Sequence, residues 1–148
     1  MKLLVCFDGS EPSKRAIEKA RQLTAECGVH EVTIIHAYQD NYWVSIGDGY
    51  APSPDMLRKL EDFERSRIQE KEEEIVELAK TFADTEAVVD IKTIHGHPAR
   101  VITKVAEEGN YDLIIIGSRG LGGFRKVVLG SVSNAVMQGT NVSVMVVK

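Results

Sequence analysis

Short apolar runs alternate with amphipathic stretches along this chain, and the two periods define its elements. Residues 2–7 (Lys-Leu-Leu-Val-Cys-Phe) form a brief apolar run that predicts a buried strand. Asp8-Gly9-Ser10 follows as a turn, with Ser10 suited to cap a helix and Pro12 tolerated in its first turn. Ile17, Ala20, Thr24 and Cys27 then recur at three- and four-residue spacing, one face of a helix ending at Gly28. Val32 to Tyr38 is the second strand, and residues 39–54, with Gly47, Gly49, Pro52 and Pro54, carry no period and read as a long loop. A second helix over about residues 54–83 places Met56, Leu60, Phe63, Ile75, Leu78, Ala79 and Phe82 along one stripe. Its other side holds the acidic run Glu70-Lys71-Glu72-Glu73-Glu74, expected as a solvated surface. Val88 to Ile94 is a third strand, and a helix opening at His97-Pro98 presents Ile102, Val105 and Ala106 before Gly109. Leu113 to Ile116, residues 130–138 and Val142 to Val147 complete the pattern as strand, helix and strand.

Five strands alternating with four helices predict an α/β fold, a doubly wound parallel sheet covered on both faces. Right-handed crossovers favour the Rossmann-like order 3-2-1-4-5, which makes strands 1 and 4 neighbours. Ligands of such sheets bind beyond the carboxyl ends at that switch point, so Asp8 and Gly117 are expected to face one crevice. With 148 residues and no internal repeat or linker, residues 1–148 are expected to form a single domain.

A net charge of −4 argues against general nucleic-acid binding, and no apolar run is long enough to span a membrane. Cys6 and Cys27 lack metal or redox spacing; both are expected to be reduced core residues, with a cytoplasmic location.

Chemistry concentrates after the fourth strand. Gly117-Ser118-Arg119-Gly120 is followed nine residues later by Gly130-Ser131-Val132-Ser133, the pattern G-x2-G-x9-G-[ST]. Glycines let backbone approach an anion, and the free N–H groups and dipole of the following helix start favour phosphate. Arg119, Arg125 and Lys126 add positive charge. A Walker A loop is excluded because no glycine precedes Lys and then Ser or Thr, and the dinucleotide pattern fails where its third glycine would be Arg125.

In this context the pattern resembles the nucleotide signature of the universal stress protein family, and the resemblance extends over nearly the whole chain. Phe7-Asp8-Gly9-Ser10-Glu11 is similar to the family's first-strand exit, Ile34-Ile35-His36-Ala37 to the second, and Gly96-His97-Pro98 to its G-x-P segment. The resemblance implies an ATP-binding member. Gly117, Gly120, Gly130, Ser131, Val132 and Ser133 would hold phosphates and ribose, and the backbone of Ala37 would meet the adenine edge. Asp8 would lie near the ribose and a phosphate-bound Mg²⁺ or Mn²⁺, as a hard carboxylate should. Before the last strand, Gly139-Thr140-Asn141-Val142-Ser143-Val144 departs from the family's usual proline-containing turn.

The function expected is a nucleotide-binding regulatory module whose ATP state controls a protein partner. The alternative is a slow metal-dependent ATPase or phosphotransferase using Asp8. The module is favoured because no Glu, His or Asp lies within the glycine loop to act as a base. A phospho-accepting receiver of similar topology fits worse, since only one Asp follows the first strand and His95-Gly96 follows the third. His95 and His97 lack further ligands at close spacing, and His36 reads as a hydrogen-bonded core or rim residue. Tyr42 and Trp43 are candidates for base stacking or partner contact. The last strand would form an exposed apolar edge, and both that edge and the family resemblance predict a homodimer paired through it.

Overall fold

The computed structural model describes residues 1–39, 52–120 and 129–148. Most of the 39–54 loop, with Tyr42 and Trp43, lies outside the described residues, as do Arg125 and Lys126.

Five strands, β1 (Lys2–Cys6), β2 (Glu31–Tyr38), β3 (Val88–His95), β4 (Leu113–Gly117) and β5 (Ser143–Val147), form one parallel sheet in the order β3-β2-β1-β4-β5. The helices between them are α1 (Glu11–Cys27), α2 (Pro54–Ala79), α3 (Pro98–Glu108) and α4 (Ser131–Gly139). A short 3-10 turn, Lys80–Phe82, ends the stretch that the sequence predicts as continuous helix to residue 83.

Side-chain alternation along buried strands divides the core into two layers. Leu3, Val5, Ile34 and Ile115 pack with Ala16, Ile17 and Ala20 of α1 and Ile75 of α2. Leu4, Cys6, Ile35, Ile114 and Ile116 pack on the other face with Ala99, Ile102 and Ala106 of α3 and Val136 of α4. Tyr111 enters this second layer and donates its hydroxyl to Thr33 Oγ1 at 2.7 Å, so its polar end is satisfied.

Local chemistry sets the α1 boundaries as expected. Ser10 Oγ accepts the Ser13 N–H at 3.3 Å, Pro12 lies in the first turn, and Gly28 closes the helix at φ +62°.

Two expectations about helix faces fail. Cys27 is exposed although its spacing continues the buried stripe of Ser13, Ala16, Ile17, Ala20 and Thr24, because it is the last residue of α1 and lies beyond the buried length of that face. In α2 only Ile75 is fully buried; Met56 and Phe63 are 50% and 61% exposed. Between Phe63 and Ile75 the one apolar residue is Ile68, and α2 is longer than the sheet edge it covers. Its N-terminal turns therefore extend past the body.

Candidate functional site

The β1 and β4 exits meet as the strand order requires, and the first turn of α1 packs between them. A Cβ at Gly117 would lie 2.9 Å from both the carbonyl carbon of Pro12 and the amide nitrogen of Ser13. Gly117 is therefore where β4 and α1 backbones touch. Its missing side chain serves this close packing directly, whatever ligand the loop takes.

Asp8 sits half-buried at the β1 exit. Its Oδ1 accepts the Ser10 N–H at 2.9 Å, and its own N–H points to Ser13 Oγ at 3.4 Å. The other carboxylate oxygen faces the glycine loop: a Cβ on Gly120 would stand 2.6 Å from Oδ2. Ser10 Oγ in turn donates to the Arg119 carbonyl at 3.2 Å, tying the two loops together. Asp8 and Gly120 are neighbours across the crevice.

Ser118 organises the far side of the loop. Its N–H donates to the Val147 carbonyl at 2.6 Å, anchoring the loop to β5. Its carbonyl accepts the Gly130 N–H at 2.7 Å and the Ser133 hydroxyl at 3.2 Å. These bonds return the chain to the start of α4, with Gly130 extended at the cap position (φ −72°, ψ 160°). Ser133 is buried, and its hydroxyl also donates to the Gly130 carbonyl at 3.0 Å. Gly130 itself has room: the nearest atoms to an added Cβ, Arg119 Cα and Ser118 O, are 3.4 Å away. Ser131 is exposed and Val132 half-buried in the first turn of α4, where N–H groups are free of helical partners. The start of α4 thus combines a glycine cap, an exposed hydroxyl and unpaired donors, the chemistry that suits a phosphate.

Ala37, near the β2 exit, is half-buried and packs towards the second core layer. The Phe7 N–H donates to the Ile35 carbonyl at 2.9 Å, which keeps the β1 and β2 exits level. His36 is buried and its Nδ1 lies 3.0 Å from the Phe7 carbonyl, a hydrogen-bonded rim position as expected. Its ring stacks with that of Tyr38, which meets His95 edge-on. No group of three or more His, Cys, Asp or Glu suited to a metal occurs among the described residues.

Cys6 lies beneath Asp8. Burial pushes its thiol far above the ordinary range and the Asp8 charge adds to the effect, so it stays protonated.

Sequence reasoning missed the most unusual contact at this edge. The Lys71 ammonium, from the run expected to be a solvated surface, occupies the space a side chain on Gly9 would fill. Gly9 has φ +86°, and the Lys71 ammonium lies 6.0 Å from the centre of the Phe7 ring. Lys71 pairs with Glu74 Oε2 at 2.9 Å, and Glu74 Oε1 pairs with Lys14 of α1 at 3.0 Å. Burial alone would raise the Glu74 pKa, but hydrogen bonds from Lys71 and Lys14 bring it below the usual value. The available signal was spacing: Lys71 and Glu74 precede Ile75 and Leu78 on the body-facing side of α2.

A five-stranded parallel sheet in this order, with its first and fourth strand exits meeting at the switch point, defines a Rossmann-like α/β protein. The sequence model described as Universal stress protein family matches residues 1–148, and the chain belongs to that family. It is 33% identical over 152 residues to universal stress protein YxiE of Bacillus subtilis strain 168, covering 99% of this chain and 98% of that one. The solved structure of MJ0577, a protein of Methanocaldococcus jannaschii, superposes with a TM-score of 0.81 at 24% identity, covering 99% of this chain and 94% of that chain. A universal stress protein crystallised in complex with cAMP superposes at 0.68, also at 24% identity, over all of this chain and 97% of that one. At these identities the superpositions establish the fold. They agree with the observed strand order.

Proposed function

We propose that this protein is an adenine-nucleotide-binding stress-response module, with ATP as the ligand whose presence or absence alters contact with a protein partner. The observation that carries the reading is the pairing of Asp8 with Gly120 across the crevice. One carboxylate oxygen is held by the Ser10 N–H, while the other faces a loop that returns, through Ser118, to a helix start with free donors. The cAMP complex of a structural neighbour supports the adenine part of the ligand. In this reading Gly120, Gly130, Ser131, Val132 and Ser133 surround phosphates and ribose, Gly117 sets the loop's approach to α1, and Ala37 offers backbone to the adenine edge.

A divalent cation fits the site as a companion of the nucleotide. A single free carboxylate oxygen supplies one hard ligand, leaving phosphate oxygens and water for the remainder. Asp8 would hold a Mg²⁺ or Mn²⁺, which when bound would neutralise phosphate charge. The chain's own contribution is binding and orientation: the Ser10 N–H fixes the carboxylate, and the α4 N–H groups receive negative charge. Gly120 contributes by leaving space beside Oδ2.

Binding is tested by releasing resident nucleotide from denatured protein and by titrating ATP and AMP with and without Mg²⁺. Absence of any adenine-nucleotide binding would refute the proposal. ATP turnover above about one per second, a rate ordinary for enzymes, would instead favour the alternative of an ATPase or phosphotransferase. We further propose a homodimer paired through β5, an edge strand whose Val144 and Val146 are only half-buried within one chain.

A further inference from the structure

We propose that Lys71 is a positioning residue for the crevice: seated in the space that Gly9 leaves, it fixes the turn bearing Asp8 and ties that turn to α2. The inference rests on the nucleotide reading of the crevice and adds a means by which that site and α2 influence each other.

Three features carry it. The Gly9 backbone adopts a positive φ, and the Lys71 side chain fills the volume above it; a Cβ there would lie 2.7 Å from Lys71 Cε and collide with the ammonium. The Lys71 side chain is 28% exposed and is held by Glu74, which is shared with Lys14 in the first turn of α1. Asp8 is the immediate neighbour of Gly9 and is itself bonded to the Ser10 N–H. Lys14 thus anchors one side of the β1–α1 turn, Lys71 caps the other, and Glu74 joins them.

Such an arrangement matters because the carboxylate has two tasks. Oδ1 must stay on the Ser10 N–H for Oδ2 to face Gly120, and a shift of the Gly9 peptide would rotate both. An ammonium packed on that peptide resists the shift. The same contact makes the position of α2 depend on whether the turn is occupied. Exposed Phe63 and Met56 lie about two and about four helical turns from Lys71 on the same helix, so displacement at the turn is carried along a continuous helix to an outward surface.

The test is a double-mutant cycle on ATP binding in the presence of Mg²⁺. Lys71→Met keeps the apolar stem and removes the charge; it should weaken binding about tenfold in the wild-type background, within the range of coupled neighbours. In the Asp8→Asn background the same change should matter less than about twofold, and Lys71→Arg should recover part of the loss. Equal loss in both backgrounds, or none in either, would overturn the proposal. If the wild-type protein binds no adenine nucleotide, the functional reading fails and the positioning role is judged separately in ligand-free protein. Amide exchange at Ser10 should then rise about tenfold in Lys71→Met while Ile115, in the centre of β4, stays protected. Unchanged exchange at Ser10 would refute it. Should Lys71→Met fold poorly, Glu74→Gln loosens the same ammonium without altering Lys71, with the same expected results.

Discussion

Gly117→Ala is expected to destabilise the fold, although sequence reasoning placed Gly117 among the nucleotide contacts. An alanine Cβ would stand 2.9 Å from two backbone atoms of α1 and 3.0 Å from Pro12 Cβ, well inside ordinary carbon contact distance. None of these atoms belongs to a flexible side-chain end. The strand cannot retreat easily either, because Ile116 and Gly117 pair with Val146 and Val147 and Ser118 is anchored to β5. Overpacking of this kind costs about 1–3 kcal/mol, and loss of glycine entropy in the unfolded chain returns about 0.4–1 kcal/mol. A net loss of roughly 1–2 kcal/mol lowers the melting temperature by about 2–8 °C for a chain of this size. Gly130→Ala is the control, since its Cβ meets nothing closer than 3.4 Å and its φ of −72° suits alanine. Thermal unfolding followed by circular dichroism, with nucleotide titration of the same samples, separates the two. The expectation is a large melting shift for Gly117→Ala, with Gly130→Ala affecting nucleotide binding more than stability. A Gly117→Ala protein melting within about 1 °C of wild type, below the range derived above, would show that α1 yields freely and that the packing argument is wrong.

Asp8→Asn should reduce the Mg²⁺ dependence of ATP binding more than the binding measured without metal, by calorimetric titration; equal losses would make Asp8 a metal-independent contact. A thiol reagent should modify Cys27 promptly in native protein and Cys6 only after unfolding, because Cys6 is buried and held protonated; fast modification of both would contradict the core assignment. The Glu74 pKa is lowered on folding, so its contribution is present above its unfolded value near 4.5 and disappears as pH falls through the folded value. The Lys14 pKa is raised, through its Glu74 and Glu11 partners, so its contribution persists below 10.5 and is lost as pH rises through the folded value. The melting difference between wild type and Glu74→Gln should therefore be greatest between these limits and shrink as the pH falls into the acid range; a difference that stays constant down through that range would dismiss the pairing. Val144→Pro removes an edge N–H and should shift the proposed dimer towards monomer or insolubility; light scattering showing a stable wild-type monomer at micromolar concentration would rule the dimer out.

Much of the architecture was legible because it depends on local physics. A buried parallel strand needs an uninterrupted apolar run, a helix needs a periodic face, and Ser10, Pro12 and Gly28 mark where one gives way to the other. Once the alternation was read, handedness left few orders for five parallel strands, so the meeting of the β1 and β4 exits followed. The glycine spacing likewise marks Gly117, Gly120 and Gly130 as one motif from the sequence alone. Tertiary structure decided what each of these residues touches. Periodicity could not show that the buried stripe of α1 leaves Cys27 outside, or that α2 outruns the sheet and exposes Phe63, because the extent of a face depends on the surface opposite it. Nor could it separate Gly117, required by contact with α1, from Gly130, which has space, since both are simply glycines in a motif. Lys71 is the clearest case. In sequence it is one cation in an acidic run, and only the docking of α2 on the sheet brings its ammonium onto Gly9, a contact between distant segments that no local pattern encodes.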